Sequence, residues 1–300
     1  MEALMTVHFG YGSPLDTRSL PDLLRLAGQA DRDGLDHVSV ADHPYGAHAL
    51  DAYAAIGFVL ARTERLSALV NVSNLPLRPA PMLARTASSL AALSGGRFVL
   101  GLGAGGSPDH IMAMGGRRQT PRKAVEAFEE AMVLIRSLTT AGPAVTSAGP
   151  HYPVQGIPPV ATPELRIWTG SVGPKSLAAT GRRADGWIPG HAADWLSEPY
   201  RTSRAIIDEA AAAAGRKPSE IATLYNFPGA ITEHPLDRPR DAEGRWVGGS
   251  VGQWAEELTG AVLEHGAAGF TYFPRGDASF ETSLARWSRE VVPAVRAAIS

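Results

Sequence analysis

Asp42 and His43 stand side by side after the short apolar run His37-Val38-Ser39-Val40-Ala41. An imidazole titrates near neutrality, so it can exchange a proton at physiological pH, and an adjacent carboxylate can fix its orientation. The pair reads as a proton-exchange site with His43 catalytic and Asp42 orienting it; an ordinary hydrogen-bonded loop pair is the other reading. No metal site is expected: His43 and His48 are off the i, i+4 spacing of helical ligand pairs, and no carboxylate–histidine cluster accompanies them. His8, His37, His110, His234 and His265 read as structural or surface residues, while His151 and His191 stay candidates for the site. The chain has no cysteine, which excludes disulfides, cysteine metal sites and thiol catalysis. It also has no G-x-S-x-G elbow and no P-loop.

Two glycine-rich turns are the other candidates. Gly101-Leu102-Gly103-Ala104-Gly105-Gly106 matches G-x-G-x-x-G after a strand-like run. A dinucleotide fingerprint needs a helix that opens inside the glycines. Here Ser107-Pro108 follows, and the next helical pattern starts near Pro121. The segment reads instead as a turn that lets a flat or phosphorylated ligand approach the backbone, or as a tight turn with no ligand. Gly170-Ser171-Val172-Gly173-Pro174-Lys175-Ser176 leads into a helix, with Pro174 suited to its first position. The amides there form an anion site that Lys175 and the Ser171 and Ser176 hydroxyls would assist; a plain capped turn fits equally.

The elements that position these residues alternate strand and helix eight times, from a strand at Thr6–Gly10 to one at Gly269–Phe273 and its following helix. That alternation implies a parallel sheet, and eight repeats favour a closed (β/α)8 TIM barrel, an α/β fold, over an open sheet. A single domain over residues 1–300 is expected. Active residues of such barrels lie at the C-terminal ends of the strands. Those positions hold Gly10-Tyr11, Asp42-His43, Asn71-Val72, Gly103 to Gly106, Gly170 to Gly173, Gly190-His191, Asn226 and Pro274-Arg275. Two connections exceed ordinary loop length. Residues 139–163 are expected to hold a small hairpin near Ala148-Gly149. Residues 228–250, charged and rich in Pro and Gly, are expected to form a mobile lid over the barrel mouth.

Composition narrows the class further. Of 300 residues, 44% are hydrophobic and 19% charged, an ordinary globular balance, and the net charge of −2 gives no basic excess for a nucleic-acid partner. The N-terminus lacks a basic region and a sustained apolar run, so no signal peptide is read there. No segment reaches the ~20 apolar residues of a membrane span. A soluble cytoplasmic protein is expected.

Val40-Ala41-Asp42-His43, Arg78-Pro79 through Ala84-Arg85, and Leu93-Ser94-Gly95-Gly96-Arg97-Phe98-Val99-Leu100-Gly101-Leu102-Gly103-Ala104-Gly105 together resemble the bacterial luciferase-like superfamily. Gly173-Pro174-Lys175-Ser176-Leu177 followed by Ala184-Asp185-Gly186-Trp187 completes the resemblance, which covers nearly the whole chain. It implies a flavin or deazaflavin oxidoreductase. The Asp-His pair and the G-P-K-S-L turn look more like the branch that uses coenzyme F420 for hydride transfer. The alternatives are the branch that uses reduced FMN with oxygen and a separate reductase partner, and a flavin-binding barrel without turnover.

By that resemblance Gly103, Ala104, Gly105 and Gly106, with Gly170, Ser171, Val172, Gly173, Lys175 and Ser176, would hold the cofactor tail and phosphate. A non-proline cis peptide at Asn71-Val72 would lie behind the ring. His43 would face the reactive centre, while Tyr11, Tyr45, His48, Asn226 and Arg275 would line the space for a small-molecule substrate, with Asp16 near it. The sugar-phosphate dehydrogenases of this branch carry a glutamate and a tryptophan where Gly106 and Ala47 stand, which argues against sugar-phosphate oxidation here. Family members are commonly homodimers.

Overall fold

The computed structural model describes residues 7–163, 165–190 and 195–300. In chain order the strands are β1 (His8–Gly12), β2 (His37–Val40), β3 (Ser67–Val70), β4 (Ser73–Asn74), β5 (Phe98–Gly103), β6 (Val145–Ser147), β7 (Val154–Ile157), β8 (Ile167–Thr169), β9 (Gly186–Trp187), β10 (Ala222–Ile231), β11 (Gly248–Gly249) and β12 (Gly269–Pro274). The helices are α1 (Leu20–Arg32), α2 (Ala52–Arg62), α3 (Ala80–Leu93), α4 (Pro108–Ala113), α5 (Pro121–Thr139), α6 (Pro174–Arg183), α7 (Glu198–Ala213), α8 (Val251–Leu263), α9 (Phe280–Arg286) and α10 (Val292–Ala298). A π turn at Trp287–Val291 joins α9 to α10.

Strands β1, β2, β3, β5, β8, β9, β10 and β12 pair in parallel in that cyclic order, and β12 returns to β1 through Phe9 opposite Phe270. The sheet therefore closes into the expected (β/α)8 barrel with helices outside it. Period-two alternation sends Phe9 and Tyr11 outward onto the helices, where Phe9 meets Trp287 and Tyr11 meets Phe280. His8, Gly10 and Gly12 turn inward. Gly10 and Gly101 have steric reasons. A Cβ at Gly10 would lie 2.4 Å from the His37 ring, and one at Gly101 would lie 1.9 Å from the Val70 carbonyl oxygen.

The barrel interior is layered. Leu69, Trp168, Ile188 and Leu224 form an apolar plug, with the Trp168 ring lying over Gly186. The buried imidazole of His37 shares a 2.8 Å hydrogen bond with Thr271 Oγ1. His37 is thus the structural residue that the sequence suggested.

Two expectations about connections need revision, and one holds. Residues 228–250 are not a mobile lid. Their first residues extend β10, which pairs with β11 at Ala230–Gly248 and Ile231–Gly249. Trp246 is buried against Phe227 and Trp254, and Gln253 bonds both backbone groups of Leu236. Apolar anchoring outweighs the charged composition. The glycine run after β5 is followed by helix α4, earlier than Pro121; six residues are too few to show helical periodicity. The hairpin near Ala148-Gly149 is present as β6 and β7. No helix among the described residues is long and apolar enough to cross a membrane.

Burial holds the pKa of His37 down at about 3, from an ordinary 6.5. Below pH 6.5 the unfolded chain takes up a proton at this residue that the folded chain refuses. His37 therefore contributes stability above pH 6.5 that is lost as the pH falls toward 3, with a limiting slope of roughly 1.4 kcal/mol per pH unit. Urea unfolding of wild type and His37→Gln between pH 4 and 7 should show a shallower acid limb in the variant.

Candidate active site

At the C-terminal face the backbone after β3 carries a non-proline cis peptide between Asn71 and Val72, at the position the resemblance implied. The half-buried Val72 side chain packs into space left by three glycines. A Cβ would come within 3.1 Å of it at Gly101, 2.7 Å at Gly103 and 3.0 Å at Gly170. Gly103 and Gly170 thus admit Val72, a role distinct from contact with a ligand. Gly105 has φ +97° and abuts Pro76, while Gly106 is open and exposed. Asn71 Nδ2 donates to Ser39 Oγ at 2.9 Å and to Asn226 Oδ1 at 2.7 Å. Asn71 and Asn226, from strands on opposite sides of the barrel, are brought into direct contact.

The rim next to this layer is organised by Arg78, the residue that opens the Arg78-Pro79 segment. Its guanidinium donates to both oxygens of the buried Asp42 at 2.7 Å each. It also donates to Asp51 at 2.6 Å and lies 4.5 Å over the Tyr53 ring. The Asn74 amide donates to Asp42 at 2.9 Å. Asp42 therefore does not orient His43. Its oxygens are taken up by Arg78 and Asn74, a correction that follows from the bidentate match of guanidinium and carboxylate. Burial opposes the charges on Arg78 and Asp51. Hydrogen bonds outweigh it: those to Asp42 first and then Asp51 hold Arg78 above its ordinary range, and those from Arg78 and the Ala54 and Tyr53 amides hold the Asp51 carboxyl below its own.

His43 itself is exposed at the rim and stacks on Tyr45, with ring centroids 6.0 Å apart. Tyr45 is held at its hydroxyl by Asn74 and stacks on His110 of α4 at 5.0 Å. Burial raises the Tyr45 pKa, and the Asp42 charge adds to that while the Asn74 contact opposes it. His110 is exposed, as expected of a surface residue, and the fold also brings it beside Tyr45. Its place between Gly105-Gly106 and Gly115-Gly116 is the signal in the sequence that could have drawn attention to it.

The α6 start divides the remaining candidates. Gly173 occupies the N-cap without a side-chain cap, Pro174 is the first helical residue, and Lys175 and Val172 are exposed. Leading amides of a helix lack intrahelical acceptors, so this end can receive an anion. Ser176 Oγ donates to the Gly173 carbonyl at 2.9 Å. Ser171 is turned inward instead. It is buried, Thr180 Oγ1 donates to its hydroxyl, and Trp187 Nε1 donates to its carbonyl.

The other candidates take up different positions. Tyr11 does not line it: the outward strand position puts its ring in the core beside Phe280, where burial raises its pKa. His48 is exposed, and its carbonyl accepts from Thr17 at 2.8 Å. Asp16 is engaged by Arg18, whose hydrogen bonds hold its pKa down at about 2. Arg275 is exposed after β12 and has no ion pair among the described residues. His151 lies on the hairpin, its backbone amide bound by Glu130 of α5, away from the strand ends. His191 lies outside the described residues.

These groups lie at the C-terminal face of a closed parallel (β/α)8 barrel, where enzymes of this fold class carry their active sites. The luciferase-like monooxygenase family model matches residues 1–292, and the chain belongs to that family. It is 31% identical over 192 residues to an F420-dependent glucose-6-phosphate dehydrogenase of Kribbella flavida, a match covering 61% of this chain and 57% of that one. It is 33% identical over 189 residues to a phthiodiolone/phenolphthiodiolone dimycocerosates ketoreductase of Mycobacterium tuberculosis, covering 60% of this chain and 46% of that protein. In both cases the match spans less than two thirds of the relative's length. An F420-dependent secondary alcohol dehydrogenase solved with an F420-acetone adduct superposes with a TM-score of 0.81 at 20% identity, covering 97% of this chain and all of the other. That likeness shows the shared fold.

Removing Arg78 would leave the Asp42 carboxylate buried and uncompensated, a situation that costs about 3–5 kcal/mol. Arg78→Leu should lower unfolding stability by that order and broaden the Tyr45 ring signals in NMR spectra, whereas Arg118→Leu, at an exposed pair with Asp109, should change stability by less than about 1 kcal/mol.

Proposed function

We propose that this chain is an F420-dependent oxidoreductase that moves a hydride between the deazaflavin C5 and a small organic substrate. The carrying observation is the Val72 shelf at the mouth of the barrel, beside the uncapped start of α6. Val72 offers an apolar surface for a flat ring, backed by the cis bulge. The α6 amides and Lys175 suit the phosphate of the same cofactor, with Ser176 bracing the turn through its bond to Gly173, and the turn at Ala104, Gly105 and Gly106 leaves room for its tail. The cofactor, when bound, supplies or accepts the hydride. The protein's task is to exclude water, orient the substrate between Asn226 and the rim, and exchange the matching proton at His43. The F420-dependent relatives support this reading. Reduction of an activated double bond or oxidation of an alcohol fits it.

The family's monooxygenase description favours a second reading, reduced-FMN chemistry with oxygen and a separate reductase. Titration of the protein with F420 and with FMN, oxidised and reduced, under argon separates the two. Selective F420 binding is expected, and selective binding of reduced FMN would overturn the first reading. His43→Ala should lower kcat about 10²–10⁴-fold while F420 affinity stays near wild type.

The protein is further proposed to work as one cytoplasmic barrel domain and as a homodimer. Phe58 on α2 is 69% exposed, and Met82 and Leu93 on α3 are 64% and 86% exposed. Met82 and Leu93 lie three helical turns apart on one face, and α2 adjoins α3 at Gly57 and Leu90. Apolar residues grouped this way mark an association surface. Sedimentation should give a dimer for wild type and a monomer for the double variant Phe58→Glu, Met82→Glu.

A further inference from the structure

Tyr45 is shared by two imidazoles that arrive from different parts of the chain. His43 comes from the connection after β2, and His110 from α4 after β5. The ring planes lie at 28° and 21° to that of Tyr45, at 6.0 and 5.0 Å, both within the range of offset aromatic stacking. Since Asp42 is occupied by Arg78 and Asn74, no carboxylate fixes His43. The His43 ring makes no hydrogen bond among the described residues, so the Tyr45 stack is what orients it.

Tyr45 is restrained at two points. Asn74 holds its hydroxyl, with Asn74 in turn held at its backbone amide by Asp42. His110 covers the ring. The position of His110 is set by α4, whose buried Ile111 fits against two glycines. A Cβ at Gly105 would come 3.1 Å from Ile111, and one at Gly116 would come 2.6 Å from it. Arg118 closes the segment by pairing with Asp109.

We propose that His110 is a positioning residue of this site: stacked on Tyr45, it steadies the ring against which His43 rests. The seating of α4 thereby sets where the proton-exchanging imidazole points. This inference rests on the role of His43 proposed above and is independent of which cofactor binds. It requires a planar side chain at residue 110 and no proton exchange by that side chain.

The test uses the full chain with isotope-labelled histidine, first without cofactor, with His43→Asn identifying the His43 signal. His110→Ala should shift and broaden the His43 ring resonances without changing the melting temperature, and His110→Phe should restore them. In turnover His110→Ala should lower kcat about three- to tenfold, leave cofactor KM and the midpoint of the pH–rate profile unchanged, and be rescued by His110→Phe. An unmoved His43 signal in His110→Ala overturns the proposal. So does a His110→Phe variant that is as slow as His110→Ala and lacks one limb of the pH profile, because His110 would then exchange protons itself. A coupled His43 signal in a protein that does not bind F420 supports the positioning role and rejects the cofactor reading alone.

Discussion

A carboxylate buried at the edge of a barrel mouth must be given a counter-charge, and Arg78 supplies it to Asp42. Desolvating an ion costs several kcal/mol, so the pair persists only with its full set of partners. Those partners come from separate elements: the connection after β2, the start of α2 through Asp51, the Tyr53 ring, and β4 through the Asn74 amide. Asn74 then reaches Tyr45, and Tyr45 carries the histidine rim. One side of the rim's order is therefore inherited from an ion pair beneath it, and the other side comes from α4 through His110.

The floor of the mouth follows a different rule, that of shape. The cis bulge sends the Val72 side chain toward β5 and β8, and glycines at Gly101, Gly103 and Gly170 give it room. A glycine-rich strand end is usually read as space for a ligand; here much of that space is filled by the protein itself. The resulting apolar shelf is fixed before any ligand arrives, which limits the reorganisation needed on binding.

The barrel was legible because eight strand–helix repeats leave a pattern that survives errors at each boundary, and Asp42, His43 and Asn71 were placed after strands by that pattern alone, whereas Asn226 lies inside β10, which runs on to Ile231. What Asp42 does was not legible, since its partner lies 36 residues away and no local spacing encodes the contact. Tyr11 was misplaced by counting to a strand end without following alternation: beside two inward glycines, its side chain must point out. The segment 228–250 was misread because composition weighs each charge equally, whereas one buried indole, Trp246, decides where the segment lies. Helix α4 was missed because it is short, and the significance of His110 went with it.

The long strand β10 has a consequence for how this architecture can diversify. It runs ten residues, well past the ring of pairing, and with β11 and the Trp246–Trp254 contact forms a stiff parapet on one side of the mouth. Helix α4, which follows β5, is held differently: it is bracketed by glycine pairs and seated by a single isoleucine. A change within residues 104–120 therefore leaves the barrel and the parapet intact but acts at once on the glycine turn and on the His110–Tyr45 stack.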